Sequence, residues 1–190
     1  MHVLAFNGSP RREGNTSRII KSVLEGAASK GAETTEVNLH HINMKGCSGC
    51  LSCRDNPGVC AQKDELSPYL EAIKTCDGLL LGTPIYMYRI AGQMKLLVDR
   101  CYSLYISRES GGYDSAVPTG KSYGLVISQG AADSDQYHRS IRWLAGMMGS
   151  GLGMQEARRI VHTNSHQEAA KKSRRILEDA CQLGLKLASC

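Results

Sequence analysis

The stretch Gly8-Ser9-Pro10-Arg11-Arg12-Glu13-Gly14-Asn15-Thr16-Ser17 decides how this chain folds. It follows a strand-like run, His2-Val3-Leu4-Ala5-Phe6, and opens a segment in which Ile19, Ile20, Val23, Leu24, Ala27 and Ala28 recur at helical spacing until Gly31. Gly8 permits a tight turn. Ser9, Thr16 and Ser17 offer hydroxyls, Asn15 an amide, and the free N–H groups of the coming helix point at whatever sits there, so the loop is an anion cradle by geometry and dipole together. A Ser/Thr/Asn-rich helix cap behind a Gly-Ser-Pro turn is the plainer reading of the same residues. The loop has neither the G-x-G-x-x-G of a dinucleotide fold nor the Gly-Lys-Ser/Thr of a Walker loop. Gly120-Lys121-Ser122 occurs elsewhere, but Ser115 stands where the first loop glycine belongs and a strand follows.

Working outward, five short apolar runs, 2–7, 33–39, 77–82, 122–128 and 156–162, alternate with helical stripes. The third and fourth are nearly continuous in apolar residues, as strands covered on both faces are. Ile90, Met94, Leu97, Val98, Cys101 and Leu104 form one further stripe; Ile176, Leu177, Ala180, Cys181, Gly184, Leu187 and Ala188 form another. The alternation implies an α/β fold, a doubly wound five-stranded parallel sheet in the order 2-1-3-4-5 with helices on both faces. Ligands of such sheets sit beyond the C-terminal strand ends. Two connections are long, 40–63 and the Gly/Ser/Tyr-rich 105–121, the latter read as a lid or a subunit contact.

The composition fits one domain over residues 1–190: 42% apolar, 22% charged, net charge +5. No apolar run approaches a membrane span, and the N-terminus enters a strand without a basic leader, so a cytoplasmic protein is expected. The basic residues are scattered, Lys171-Lys172 and Arg174-Arg175 reading as a solvated helix face. Neither a nucleic-acid nor a membrane partner is expected.

Cysteine is the unusual residue. Cys47-x2-Cys50-x2-Cys53-x6-Cys60 places four of the eight within the loop at 42–63. Without a secretion signal, such a set reads as metal-binding or redox-active. Four thiolates are the usual complement of a [4Fe–4S] cluster, and Gly46, Gly49 and Gly58 let a loop wrap one. A zinc site, which more often uses two separated pairs, and reduced thiols or a redox disulfide are the alternatives. Cys76, Cys101 and Cys181 read as small core residues, and Cys190 as a free thiol.

Taken together, Gly8-Ser9-Pro10-Arg11 and Gly14-Asn15-Thr16-Ser17 resemble the FMN-phosphate loop of the NADPH-dependent FMN reductase and iron–sulfur flavoprotein group of flavodoxin-like proteins. Thr83-Pro84-Ile85-Tyr86-Met87-Tyr88, with Gln93-Met94-Lys95 and Asp99-Arg100 after it, looks like that family's turn along the isoalloxazine ring. Ser128-Gln129-Gly130-Ala131 falls where its loop reaches the flavin's far edge. The resemblance implies FMN held by Ser9, Arg11, Asn15, Thr16, Ser17, Pro84, Ile85, Tyr86, Met87, Ser128 and Gly130. With the cysteine spacing, it implies a [4Fe–4S] cluster on Cys47, Cys50, Cys53 and Cys60. It further implies a homodimer or homotetramer, since flavins of this family lie at subunit contacts, and ferredoxin or NAD(P)H as electron donor to a small-molecule or protein acceptor.

Catalysis would reside in the cofactors, with no catalytic side chain. Two rivals share the fold: an NAD(P)H-dependent FMN, quinone or azo reductase without a cluster, and a non-catalytic flavin-binding, redox-sensing module. His40 and His41 read as a surface pair, and Asp133 and Asp135 as caps of the following helix. No histidine belongs to a triad pattern, and no G-x-S-x-G elbow is present.

Overall fold

The computed structural model describes residues 1–189; Cys190 lies outside the described residues. In chain order the elements begin β1 (His2–Asn7), α1 (Asn15–Ser29), β2 (Glu33–Asn38), α2 (Ser52–Asp55) and α3 (Ser67–Thr75). They continue β3 (Gly78–Tyr86), β4 (Arg89–Ile90), α4 (Gly92–Arg100), β5 (Tyr105–Ser107) and β6 (Tyr113–Ser115). The last are β7 (Ser122–Ser128), α5 (His138–Gly146), β8 (Gln155–His162) and α6 (Arg174–Leu187).

The central sheet runs β2-β1-β3-β7-β8, every neighbour parallel. Counting only these five strands, that is the expected order 2-1-3-4-5. Leu4, Phe6, Leu79, Leu81, Leu125 and Ile127 pack under α3, α4 and α5, while Val3, Ala5, Leu80, Val126 and Ile160 face α1 and α6. This two-sided burial explains the continuous apolar runs. Glycines set the closeness of the second layer: a Cβ on Gly184 would lie 1.9 Å from the Val23 carbonyl, and one on Gly26 2.3 Å from that of Cys181. The buried face of α6 is Ala180, Leu183, Gly184 and Leu187, with Cys181 only half-buried. Among the described residues, no helix is long and apolar enough to cross a membrane.

Three expectations need correction. The third strand does not turn at Thr83-Pro84 but runs on to Tyr86. β1 ends at Asn7 opposite Gly82, whereas β7 continues to Ser128 opposite Pro84, so proline sits where β1 no longer needs a donor. The turn falls instead at Met87-Tyr88, both left-handed (φ 44° and 68°), before β4 pairs back onto β3. The 105–121 connection contains an antiparallel ribbon, β5 against β6, whose Tyr105 and Tyr113 pack edge-to-face beside Tyr102. Finally, Asp133 does not cap α5: its carboxylate accepts from Asp135 N–H three residues before the helix begins at His138.

Candidate functional site

The loop after β1 is organised from beneath by Asn7, which is fully buried. Its amide donates to Ser17 Oγ (2.9 Å) and to Glu36 (2.8 Å), and its carbonyl oxygen accepts from Ser9 N–H (2.9 Å). Ser17 Oγ in turn donates to the Arg11 carbonyl at 2.7 Å, so that hydroxyl is engaged inside the loop. Asn15 is engaged too. Its Nδ2 donates to Ser165 O and its Oδ1 accepts from Ala170 N–H, both at 2.8 Å, clamping the loop after β8 onto the start of α1. The side chains of Asn15 and Ser17, expected as anion donors, therefore serve as scaffolding.

What remains open to a ligand is nonetheless an anion cradle. No side chain caps α1, so its first N–H groups are free. Among the described residues, neither the buried Thr16 hydroxyl nor the Arg11 guanidinium has a partner. Ser9, Arg11, Gly14, Asn15 and Thr16 line one end of a cleft, and Pro84, Ile85 and Tyr86 line its side. Ser128, Gly130, Ser165 and His166 complete it. Among the described residues, Ser128 Oγ is buried without a hydrogen-bond partner, an orphaned donor at the cleft wall. Gly130 lies against His166, whose ring a Cβ would meet at 2.7 Å. Met87, expected at the ring, is instead 88% exposed at the hairpin tip and outside the cleft lining.

The cysteine loop forms a second cleft, lined by Cys47, Cys50, Cys53 and Cys60 together with Arg100 and Tyr102. All four are free thiols. Ser52 hydrogen-bonds Cys50 Sγ and draws that thiol below its ordinary value. Burial pushes Cys53 up, and the charges of Cys60, Cys47 and Cys50 push it further, so Cys53 feels the other three sulfurs. Gathering four thiolates here costs repulsion that a cationic centre would relieve. Burial, aided by the charge of Asp77 on one and of Asp99 on the other, raises Cys76 to about 11 and Cys101 to about 12, which leaves both as inert core thiols. Among the described residues, no three of His, Cys, Asp or Glu converge as a ready metal site.

The two clefts share no lining residue, but the loops that lead to them meet at one contact. Arg12 Nε donates to His41 Nε2 at 3.1 Å, joining the anion loop to the segment that leads into the cysteines. His40 and His41 are both exposed; Gln93 meets His40 at 3.2 Å.

Residues 1–166 match the family pattern described as NADPH-dependent FMN reductase. The chain belongs to that family. An iron–sulfur flavoprotein of Methanocaldococcus jannaschii is 36% identical over 106 residues, covering 56% of this chain and 54% of the relative. The chain spans about half the length of the curated relatives it matches. A solved NAD(P)H:quinone oxidoreductase from Methanothermobacter marburgensis superposes with TM-score 0.79 at 16% identity, over 100% of this chain and 98% of that one. An FMN-dependent NADH-azoreductase from Bacillus anthracis, solved with FMN, superposes with TM-score 0.72 at 16% identity, over 99% and 97%. These two likenesses establish a flavodoxin-like fold.

In this FMN reductase-family chain, the uncapped helix start, the unpartnered Arg11 and Thr16 and the orphaned Ser128 hydroxyl fit a ligand with a phosphate at one end and a polar edge at the other. FMN has that shape. The four-thiol cleft fits an iron–sulfur cluster by the chemistry of its donors. Ser165 and His166 are lining residues that sequence reasoning missed; only the fold brings the loop after β8 to α1. Asn7 was missed as well, although an Asn ending a buried strand before a Gly-Ser turn is a signal that could have found it. His162 is buried, and burial, against an opposing pull from the Glu168 backbone, holds it below its ordinary value.

Proposed function

We propose that this chain is an FMN-dependent oxidoreductase that passes electrons between FMN, bound in the first cleft, and a [4Fe–4S] cluster on Cys47, Cys50, Cys53 and Cys60. The observation that carries this reading is that one chain holds both a four-thiol cleft and an open phosphate cradle, with their loops linked by the Arg12–His41 contact. When bound, FMN takes one or two electrons and the cluster one, so the pair exchanges single-electron for two-electron chemistry. The chain's own residues position and tune. The start of α1, with Arg11 and Thr16, would hold the phosphate, while Ser9 Oγ, bonded to the Arg11 N–H and carbonyl, shapes the loop. Pro84, Ile85 and Tyr86 would flank the ring, Ser128 would donate to the ring edge, and the loop at 163–169, clamped by Asn15, would close over the cleft. The donor in this reading is a ferredoxin or NAD(P)H, and the acceptor a small molecule or protein.

Protein purified and kept without oxygen is expected to show a flavin spectrum with roughly four irons and four acid-labile sulfides per chain. Absence of both flavin and iron overturns the reading. A cluster-free NAD(P)H-dependent quinone or azo reductase is the second reading, favoured by the lack of a converged metal site among the described residues. Direct NADPH oxidation that survives Cys50→Ala and Cys53→Ala would decide for it.

A further inference from the structure

Arg100 is a charge in an unusual place. It stands on the last turn of α4, is only 1% exposed, and lines the cysteine cleft from below. Its guanidinium is fully engaged. Nη1 donates to the Lys45 carbonyl (3.0 Å) and to Asp64 Oδ2 (2.7 Å). Nη2 donates to the Gln62 carbonyl (3.2 Å) and to Asp64 Oδ1 (3.4 Å), and Nε to Cys60 Sγ (3.1 Å). One buried side chain thus ties the strand of loop before Cys47 to the strand after Cys60.

The Nε contact is the informative one. Closing the loop needs only the bonds to the two carbonyls and to Asp64. Cys60 is also the one thiol whose position the local chain does not fix: Cys47, Cys50 and Cys53 follow one another at short spacing, whereas six residues, Pro57 and Gly58 among them, precede Cys60. Extending the proposed function, and resting on it, we infer that Arg100 is the positioning residue of the cluster site. It fixes Cys60 as the fourth ligand and, by donating Nε–H to its sulfur, raises the potential of the cluster held there.

The sign follows from electrostatics. A reduced cluster carries more negative charge on its sulfurs, so a hydrogen bond and a nearby cation stabilise the reduced form and raise the potential. The effect is large because the guanidinium is out of water. Lysine cannot replace it: a single ammonium can pair with Asp64, but it lacks the fixed fork that reaches Asp64, two carbonyls and Cys60 at once.

The test uses the full chain, reconstituted anaerobically with FMN, iron and sulfide, and compares wild type with Arg100→Lys and Asp64→Asn. The cluster potential is read by redox titration, with the FMN potential in the same sample as internal standard. Arg100→Lys is expected to shift the cluster to a more negative potential and leave FMN where it was. Asp64→Asn keeps the Nε–Sγ contact and removes the carboxylate that neutralises the guanidinium, so its cluster should shift the opposite way. If Arg100→Lys holds a cluster at the wild-type potential, Arg100 is a loop strap only and the inference is overturned. If that variant fails to fold or load, Asp64→Asn decides alone: a positive shift supports the inference and an unmoved potential overturns it. Wild-type protein that holds no iron or sulfide overturns the proposed function and this inference with it. A wild-type cluster with unmoved variants overturns the inference alone.

Discussion

At the scale of single residues, the informative groups are those whose chemistry the folded chain leaves unsatisfied. Ser128 Oγ is buried and unpartnered, and such a hydroxyl costs about 1–3 kcal/mol of stability. If it waits for a ligand, Ser128→Ala has opposite effects on two measurements. The flavin-free protein should gain up to about 1 kcal/mol in urea unfolding, while FMN affinity should fall roughly tenfold in a fluorescence titration. Loss of both, or of neither, would show that the hydroxyl does not meet the flavin. Asp64 supplies a pH test. Burial raises its carboxyl, but hydrogen bonds from Arg100 and the Lys45 N–H more than reverse this, leaving it below its ordinary 3.8. A carboxyl depressed in the folded state contributes stability above its unfolded value and loses it as pH falls through the folded one. Asp64→Ala, which strands the buried Arg100 charge, should therefore cost about 3–5 kcal/mol at pH 7. The gap from wild type should close only below about pH 4. A gap that closes between pH 7 and 5 would point to a different group.

At the scale of elements, the β3–β4 hairpin shows where sequence reasoning held and where it slipped. The five strands, the first stripe on α1 and the Ile90-to-Leu104 stripe through α4 were legible because periodic burial on both faces leaves a periodic pattern in sequence. The turn was misplaced because a proline usually stops a strand, and nothing local says that β1 ends two residue pairs earlier than β7. Met87 and Tyr88 hid the real turn: two-residue loops of this kind favour Asn-Gly, since both residues must be left-handed. Each such non-glycine residue costs about 1–2 kcal/mol. The conformation is held from outside, because Ser140 Oγ donates to the Tyr88 carbonyl at 3.0 Å and Arg89 donates to it at 3.3 Å. Met87 is 88% exposed, whereas Tyr88 meets the Tyr137 ring at 5.9 Å. Met87→Gly should thus stabilise the protein by roughly 0.5–1 kcal/mol after the entropy of the freer unfolded chain is counted. Tyr88→Gly should gain less or nothing. Differential scanning of the two variants checks the ordering, and a lower midpoint for Met87→Gly would mean that the tip is not strained.

At the scale of the whole molecule, the cleft is closed by residues far apart in sequence, and here local reading reaches its limit. The donor types in the Gly8–Ser17 loop were legible; which of them face a ligand was not, because that depends on the loop after β8. Asn15 makes the point. From sequence it is one more amide beside an anion. In the fold it holds Ser165 and Ala170, 150 and 155 residues away, and Ala170 is fully buried. Asn15→Ala leaves the Ala170 N–H without an acceptor and frees the segment that carries His166 to the cleft. It should cost about 1–3 kcal/mol of stability in flavin-free protein and also weaken FMN by roughly tenfold, through loss of closure rather than loss of a contact. Asn15→Asp separates the roles further: its carboxylate still accepts from Ala170 but repels both the Ser165 carbonyl and a phosphate. It should keep more stability than Asn15→Ala and bind FMN no better. If Asn15→Ala instead leaves flavin-free stability untouched and loses only FMN affinity, then Asn15 is a phosphate donor after all, and the clamp does not govern the cleft.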